Sequence, residues 1–460
     1  MLIVLSEVPR FAKMVRPAAA ALLSLILAAS AVSAEVAVEE PAEEGVPKQL
    51  QKAPATHGQS SIIKLDRPQD MKLEDFCLSP SGEVVALAVN RRIRAAEEAA
   101  DAAEGEPAAS ILEADEASKA KKKKNDAATP SGQIQIFDRD GKLLRKWDVP
   151  FHGQAINNAP DGTIYVAGDG RLAKYSSTGQ LIAEAGAPHV TALKQDTELL
   201  KLRAQESLDA EKEMYTQQLK QFEEQLQQLT KKDSEKPTAA EKRQRSQLEQ
   251  QLKIYKQAAE AVERKTLETA MAAIMQQAMR LNAIAATNDE VFFVCRATKG
   301  YGFCVWRTDK NFAEPKQIIQ GLSGCCGQMD VQCSGAELLV AENSRHRVVR
   351  YDREGKQVSA FGKRDRDGLE GNFGGCCNPM NVCFNGSGDL YIAESNGSVK
   401  HFTPEGKYVG VVGLAKVQPG CKNSAIAASS DGDRVYYIDI QGSNIIVLAK
   451  NDPAAASKTQ

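Results

Sequence analysis

The sequence predicts an all-β fold, a six-bladed β-propeller, with an inserted antiparallel helical (coiled-coil) hairpin. Three observations predict it. One unit recurs, most plainly from Cys325 and again 51 positions later from Cys376, with a weaker copy from His152. Each copy offers four short runs of alternating apolar and polar residues, such as 380–384, 390–394, 399–402 and 408–412, separated by Gly-containing turns. The stretch 191–280 abandons that two-residue period for a helical one. Four-stranded antiparallel units can bury their faces only against neighbouring units, so repeats of this kind close into wheels.

Taken in order, residues 1–34 read as a signal peptide: Arg10, Lys13 and Arg16 precede the apolar run 18–29, and Val32-Ser33-Ala34 suits cleavage before Glu35. That run is shorter than the ~20 residues a spanning helix needs. Residues 35–59 are acidic and Pro/Ala-rich, with too little apolar surface to offset ordering entropy, which predicts a disordered tether. Blades follow at 73–149, 151–187, 283–320, 323–362, 374–413 and 420–450, so 60–190 holds two and 281–450 holds four, with a disordered tail at 451–460. The last blade has only three strands, and the apolar-alternating segment 61–65 is expected to supply its outer strand and close the ring. Within the first blade, residues 91–130 carry Arg91-Arg92, Glu97-Glu98 and four lysines at 121–124, which predicts a mobile charged loop.

In the helical stretch, Leu208, Tyr215, Leu219, Phe222, Leu226 and Leu229 recur at steps of 7, 4, 3, 4 and 3, and Leu248, Leu252, Tyr255, Ala259 and Val262 follow Pro237. Two antiparallel arms result, projecting on the order of 55 Å at ~1.5 Å per residue. The Gln/Glu/Lys-rich flanks suit a protein or cell-envelope partner, and the same hairpin could equally pack across its own propeller.

The stretch ENSRHRVVRYDREGKQVSAFG at 342–362, with its polar turn, Arg-Val, aromatic-Asp, Gly and terminal Phe-Gly, resembles the NHL repeat of six-bladed propellers. The resemblance implies the fold and leaves function open, because similar propellers serve as binding platforms, lyases, lactonases and esterases. NHL-like lyases converge several His or carboxylate ligands in the channel. Of five histidines here, His57 falls in the tether, His189 precedes the hairpin, and His346 and His401 belong to outer hairpins, leaving His152 near the axis. No G-x-S-x-G, H-E-x-x-H, G-x-x-x-x-G-K-[ST] or C-x-x-C-H motif occurs. A net charge of -2, from 58 basic and 60 acidic residues, supplies no overall field for nucleic acid or anionic lipid. Export, whether periplasmic, envelope-associated or secreted, follows from the signal peptide.

In a four-stranded meander, connections between blades share a face with the loops joining second to third strands. The helical hairpin, the charged loop and the paired cysteines therefore meet on one face, where rigid scaffolds carry binding residues. Aligning blades on their inner strands makes Cys326, Cys377 and Cys421 equivalent, with Cys325 and Cys376 one residue earlier, Met329 equivalent to Met380, and His152 close by. Three readings fit this cluster: disulfides, which export and ten cysteines allow; a soft metal ion held by thiolates, thioethers and an imidazole; or inert buried thiols. A second ring position pairs Cys77 with Cys383, with Cys333 offset by one. Cys295 and Cys304 flank a hairpin turn and suit a structural disulfide. Asn157, Asp330 and Asn381 on inner strands are channel candidates for a cation or small ligand, or simply for water.

Overall fold

Strands of two kinds build the chain, and their burial explains their sequences. Second strands such as Val84–Asn90, Ile164–Gly168 and Leu390–Ala393 are buried on both faces. They sit between adjacent sheets, which is why they read as unbroken apolar runs. Outer strands such as Leu143–Val149 alternate, with one face toward solvent. The computed structural model describes residues 47–92, 130–232, 238–298, 301–325, 328–375, 377–418, 424–439 and 441–452. The expected signal peptide, nearly all of the charged loop, and Cys326, Cys376 and Cys421 lie outside the described residues.

The described strands form six four-stranded antiparallel sheets, a propeller-like arrangement. The first sheet comprises Met71–Leu78, Val84–Asn90, Gly132–Phe137 and Leu143–Val149; the second Ala155–Asn158, Ile164–Gly168, Arg171–Tyr175 and Leu181–Gly186. The third is built from Leu281–Ala286, Glu290–Arg296, Phe303–Asp309 and Lys316–Leu322; the fourth from Asp330–Ser334, Glu337–Glu342, Arg347–Asp352 and Gln357–Phe361. Asn381–Phe384, Leu390–Ala393, Ser398–Phe402 and Tyr408–Leu414 make the fifth. In the sixth, Ile426–Ala428, Arg434–Asp439 and Asn444–Lys450 are joined by His57–Lys64 from the beginning of the fold. First strands neighbour one another in sequence order, and that of the sixth sheet neighbours that of the first.

The strand His57–Lys64 pairs antiparallel with Asn444–Lys450, aligning Ile62 with Ile446 and Ile63 with Ile445. It extends four residues earlier than the expected 61–65 and stops at Lys64. Residues 47–59 are therefore not a disordered tether. A short helix α1 (Lys48–Lys52) precedes the strand, and Leu50 and His57 are buried. Likewise Asn451, expected in a disordered tail, hydrogen-bonds the backbone of Ala55 and Thr56.

Adjacent sheets are also tied at the turns between third and fourth strands. Asp138, Asp309 and Asp352 each accept two backbone N–H groups of their own turn, pinning its shape. A cation of the preceding sheet reaches each of these turns, and that of the fifth sheet: Arg434 donates to the Arg139 carbonyl, Lys174 to Asn311, Arg307 to the Arg353 carbonyl and Arg350 to the Pro404 carbonyl.

Between the second and third sheets the chain forms α2 (Pro188–Gln195), α3 (Thr197–Lys232), α4 (Ala239–Glu263) and α5 (Leu267–Met279). Ion pairs Lys212–Glu263, Glu211–Lys265 and Glu223–Lys256 match rising numbers on α3 with falling ones on α4 and the residues just after it, so the two run antiparallel. Phe222 packs edge-on against Tyr255 at 4.9 Å within that seam. With 36 residues, α3 spans ~54 Å. The return arm consists of two helices: Arg264 ends α4, and a Thr266–Thr269 capping box starts α5, which packs Ala270 on Ala204 and Leu208. Val190 and Leu193 of α2 and Ala278 of α5 are buried in the core shared by the second and third sheets.

Candidate functional site

The channel is lined by residues of all six first strands, among them Asp75, Asn157, Ile284, Asp330, Asn381 and Ala427, around a cavity of about 420 Å³. Its polar groups follow one rule. A side-chain oxygen on one sheet accepts a backbone N–H of the next sheet's first strand: Asp75 from Ile156 at 2.8 Å, Asn157 from Ala286 at 3.2 Å, Asp330 from Val382 at 2.9 Å and Asn381 from Ile426 at 3.0 Å. Asn157, Asp330 and Asn381, singled out as ligand candidates, thus each commit one oxygen to holding neighbouring sheets together. Burial pushes the Asp330 carboxyl up to about 7 and the Asp75 carboxyl well above the usual range, against the pull of these hydrogen bonds.

Cys77, Cys333 and Cys383 line the same cavity. Burial raises all three thiols, that of Cys333 to about 12, so they are poor nucleophiles there. Met329 and Met380 also line it and are buried. His152 is buried in the segment leading into the second sheet, its backbone N–H donating to Asp169. Cys295 and Cys304 are register partners across a hairpin, with sulfurs 3.4 Å apart and not bonded.

Of the expected cysteine cluster, the structure brings Cys325 and Cys377 together: their sulfurs are 3.1 Å apart although they belong to loops entering different sheets. Both loops are held by buried polar side chains at matching repeat positions. Glu342, the last residue of a second strand, accepts the Ser323 N–H at 3.0 Å, two residues before Cys325. Glu394, its counterpart, accepts the Gly374 N–H at 3.2 Å, three residues before Cys377. Asn343 accepts the Cys325 N–H at 2.7 Å and donates to the Gln328 carbonyl, while its amide nitrogen lies 4.0 Å from the Met380 sulfur. Asn378 grips its own loop by donating to the Gly374 carbonyl and accepting the Ser395 N–H. His346 reaches across with Nε2 to the Gly375 carbonyl at 3.1 Å.

Both carboxylates are compensated. Arg345 and Arg347 flank Glu342, whereas Glu394 takes Ser398 and the fully buried Lys400. Lys400 also donates to the Gly368 and Asn372 carbonyls, and burial draws its ammonium below the ordinary lysine value despite Glu394 beside it. These clamps were missed from sequence, although Glu342 and Glu394 stand at the same place in two aligned repeats. Among the described residues no group of three or more His, Cys, Asp or Glu is placed to hold a metal ion. No described helix is long and apolar enough to cross a membrane.

No family model and no curated protein matches this chain. Among solved structures it is similar to a gluconolactonase from Xanthomonas campestris, at 9% identity and a TM-score of 0.39, over 87% of this chain and 98% of that one.

Proposed function

We propose that this chain is an exported six-bladed propeller of the NHL type, working as a binding or scaffold module through its loop-decorated, cysteine-rich face. One observation carries this reading: α2–α5 and the loop bearing Cys325 leave successive sheets by connections that topology puts on the same side. Side chains on that side are fixed by buried clamps, whereas the channel's polar groups are engaged in joining sheets. The paired helices α3 and α4 supply reach, and their charged flanks suit a protein or cell-envelope component.

The test removes the outer arm and keeps its root. Glu211 and Lys265 are already paired at 2.7 Å, so replacing residues 212–264 by a short Gly/Ser linker preserves the Ala204, Leu208 and Ala270 contact and the buried His189. The trimmed protein should stay folded and lose a partner that the full chain captures from envelope extracts and binds saturably once purified. Undiminished capture by the trimmed protein would refute a role for the arm.

A further inference from the structure

Cys325 is partly exposed and Cys377 is buried, so one thiol of the pair can meet a reagent from solvent and the other cannot. Their 3.1 Å separation is ~1 Å from the ~2.05 Å of a disulfide bond. It is held by contacts that cross from the fourth sheet to the fifth: Asn343 to Met380, His346 to the Gly375 carbonyl, and Asp330 to the Val382 N–H. Groups pre-positioned in this way react at a high effective concentration, because the entropy of bringing them together has been lost on folding. The channel thiols of Cys77, Cys333 and Cys383, which burial pushes up, offer no comparable route.

We propose that Cys325 and Cys377 form a reversible dithiol–disulfide couple that exchanges with an external disulfide and ties the fourth sheet to the fifth beside the channel. The Cys325 thiolate attacks one sulfur of a low-molecular-weight or protein disulfide. That S–S bond breaks, the leaving thiolate takes up a proton, and Cys325 carries a mixed disulfide. Cys377 then loses its proton and attacks the Cys325 sulfur, the mixed bond breaks, and the second external thiol departs protonated. Two protein thiols are oxidised and one external disulfide is reduced to two thiols. Met329 and Met380 line the cavity a few residues beyond, so the state of the couple sets how firmly that rim is tied. The couple needs nothing on the helical arm, and its presence is read independently of partner capture.

The full-length protein is equilibrated in glutathione buffers of graded disulfide-to-thiol ratio, alkylated, digested and mapped by mass spectrometry, with fragment ions separating Cys325 from Cys326. A Cys325–Cys377 cross-link should form and disappear reversibly with the ratio. Cys377→Ser should abolish it and leave glutathione on Cys325. Asn343→Ala keeps both thiols but loosens the cross-sheet clamp, and should raise the ratio needed for half-oxidation at least tenfold. Cys295→Ser should leave the cross-link unchanged. Alkylation of both thiols at every ratio, a cross-link from Cys325 to any other cysteine, or loss of the cross-link in the Cys295→Ser control would overturn the proposal.

Discussion

Replacing Lys400 by Met tests whether buried charge holds the loop that carries Cys377. The Lys400 and Glu394 side chains are 0% and 1% exposed, and the ammonium has three acceptors: Glu394 at 3.0 Å and the Gly368 and Asn372 carbonyls at 2.6 Å. Methionine matches the stem of lysine and removes only the charge and its donors. The Glu394 carboxylate is then left buried with the Ser398 hydroxyl and the Gly374 N–H as its remaining donors. Breaking a buried pair by removing one partner costs about 3–5 kcal/mol. That is a large part of the ~5–15 kcal/mol that separates folded from unfolded states. Glu394→Gln made together with Lys400→Met removes the uncompensated charge while keeping an acceptor for Gly374, and should recover roughly half of the loss. Urea unfolding of the two single variants, the double variant and the parent at one pH closes the cycle. Hydrogen exchange at Gly374 should accelerate in Lys400→Met and slow again in the double variant. If Lys400→Met costs less than ~1 kcal/mol, or the two changes simply add, the pair does not hold the loop.

Four further outcomes follow from buried groups and from the closing strand. His189 sits between Phe293 and Trp306, Nε2 donating to the Ala278 carbonyl, and burial lowers its pKa to about 4. Its contribution is complete above ~6.5 and is lost as pH falls toward 4, amounting to ~3 kcal/mol, and His189→Gln should flatten that stretch of a urea-midpoint profile. Asp330 has the opposite sign: with its pKa raised to about 7, its contribution is present below ~4 and disappears as pH rises through 7, so Asp330→Asn should be relatively more stable at pH 8 than at pH 5. Deleting residues 47–64 would leave Asn444–Lys450 as an open edge, and concentration-dependent association seen by light scattering is the expected result. Ile63→Ala, at a buried position of the closing strand, should cost about 2–5 kcal/mol without that association.

Legibility in the sequence followed the range of the forces involved. Strand alternation and glycine turns are local, so the units at 325 and 376 announced their four strands, and the missing outer strand of the last sheet pointed to the segment near residue 61. The true start of that strand was hidden because His57 gains its burial from Lys450 and the sixth sheet, far along the chain. The seam of α3 and α4 was plain in its heptad spacing. The break at Arg264 has no proline or glycine to mark it, and the Thr266 cap that starts α5 carries Thr269 where a capping box ordinarily has Glu or Gln. Least legible were the buried charges. Glu394 and Lys400 drew no notice in the sequence because nothing local distinguishes a solvated carboxylate from one sealed beneath a neighbouring loop.

That hidden pair and its counterpart at Glu342 both act on loops that carry a cysteine. Burying a carboxylate costs several kcal/mol unless hydrogen bonds and a counter-charge offset it. The chain does so twice at the same repeat position, with different partners each time: arginines around Glu342, a lysine and a serine around Glu394. What the two sites share is the group they order, a backbone N–H within three residues of Cys325 or Cys377. Sheet packing alone would be served as well by apolar side chains of similar volume, as first-strand positions such as Val331 and Val382 already show. The common product of the two charged clamps is a fixed backbone at two loop entrances, and a fixed backbone matters most where two sulfur atoms stand ~1 Å short of bonding distance.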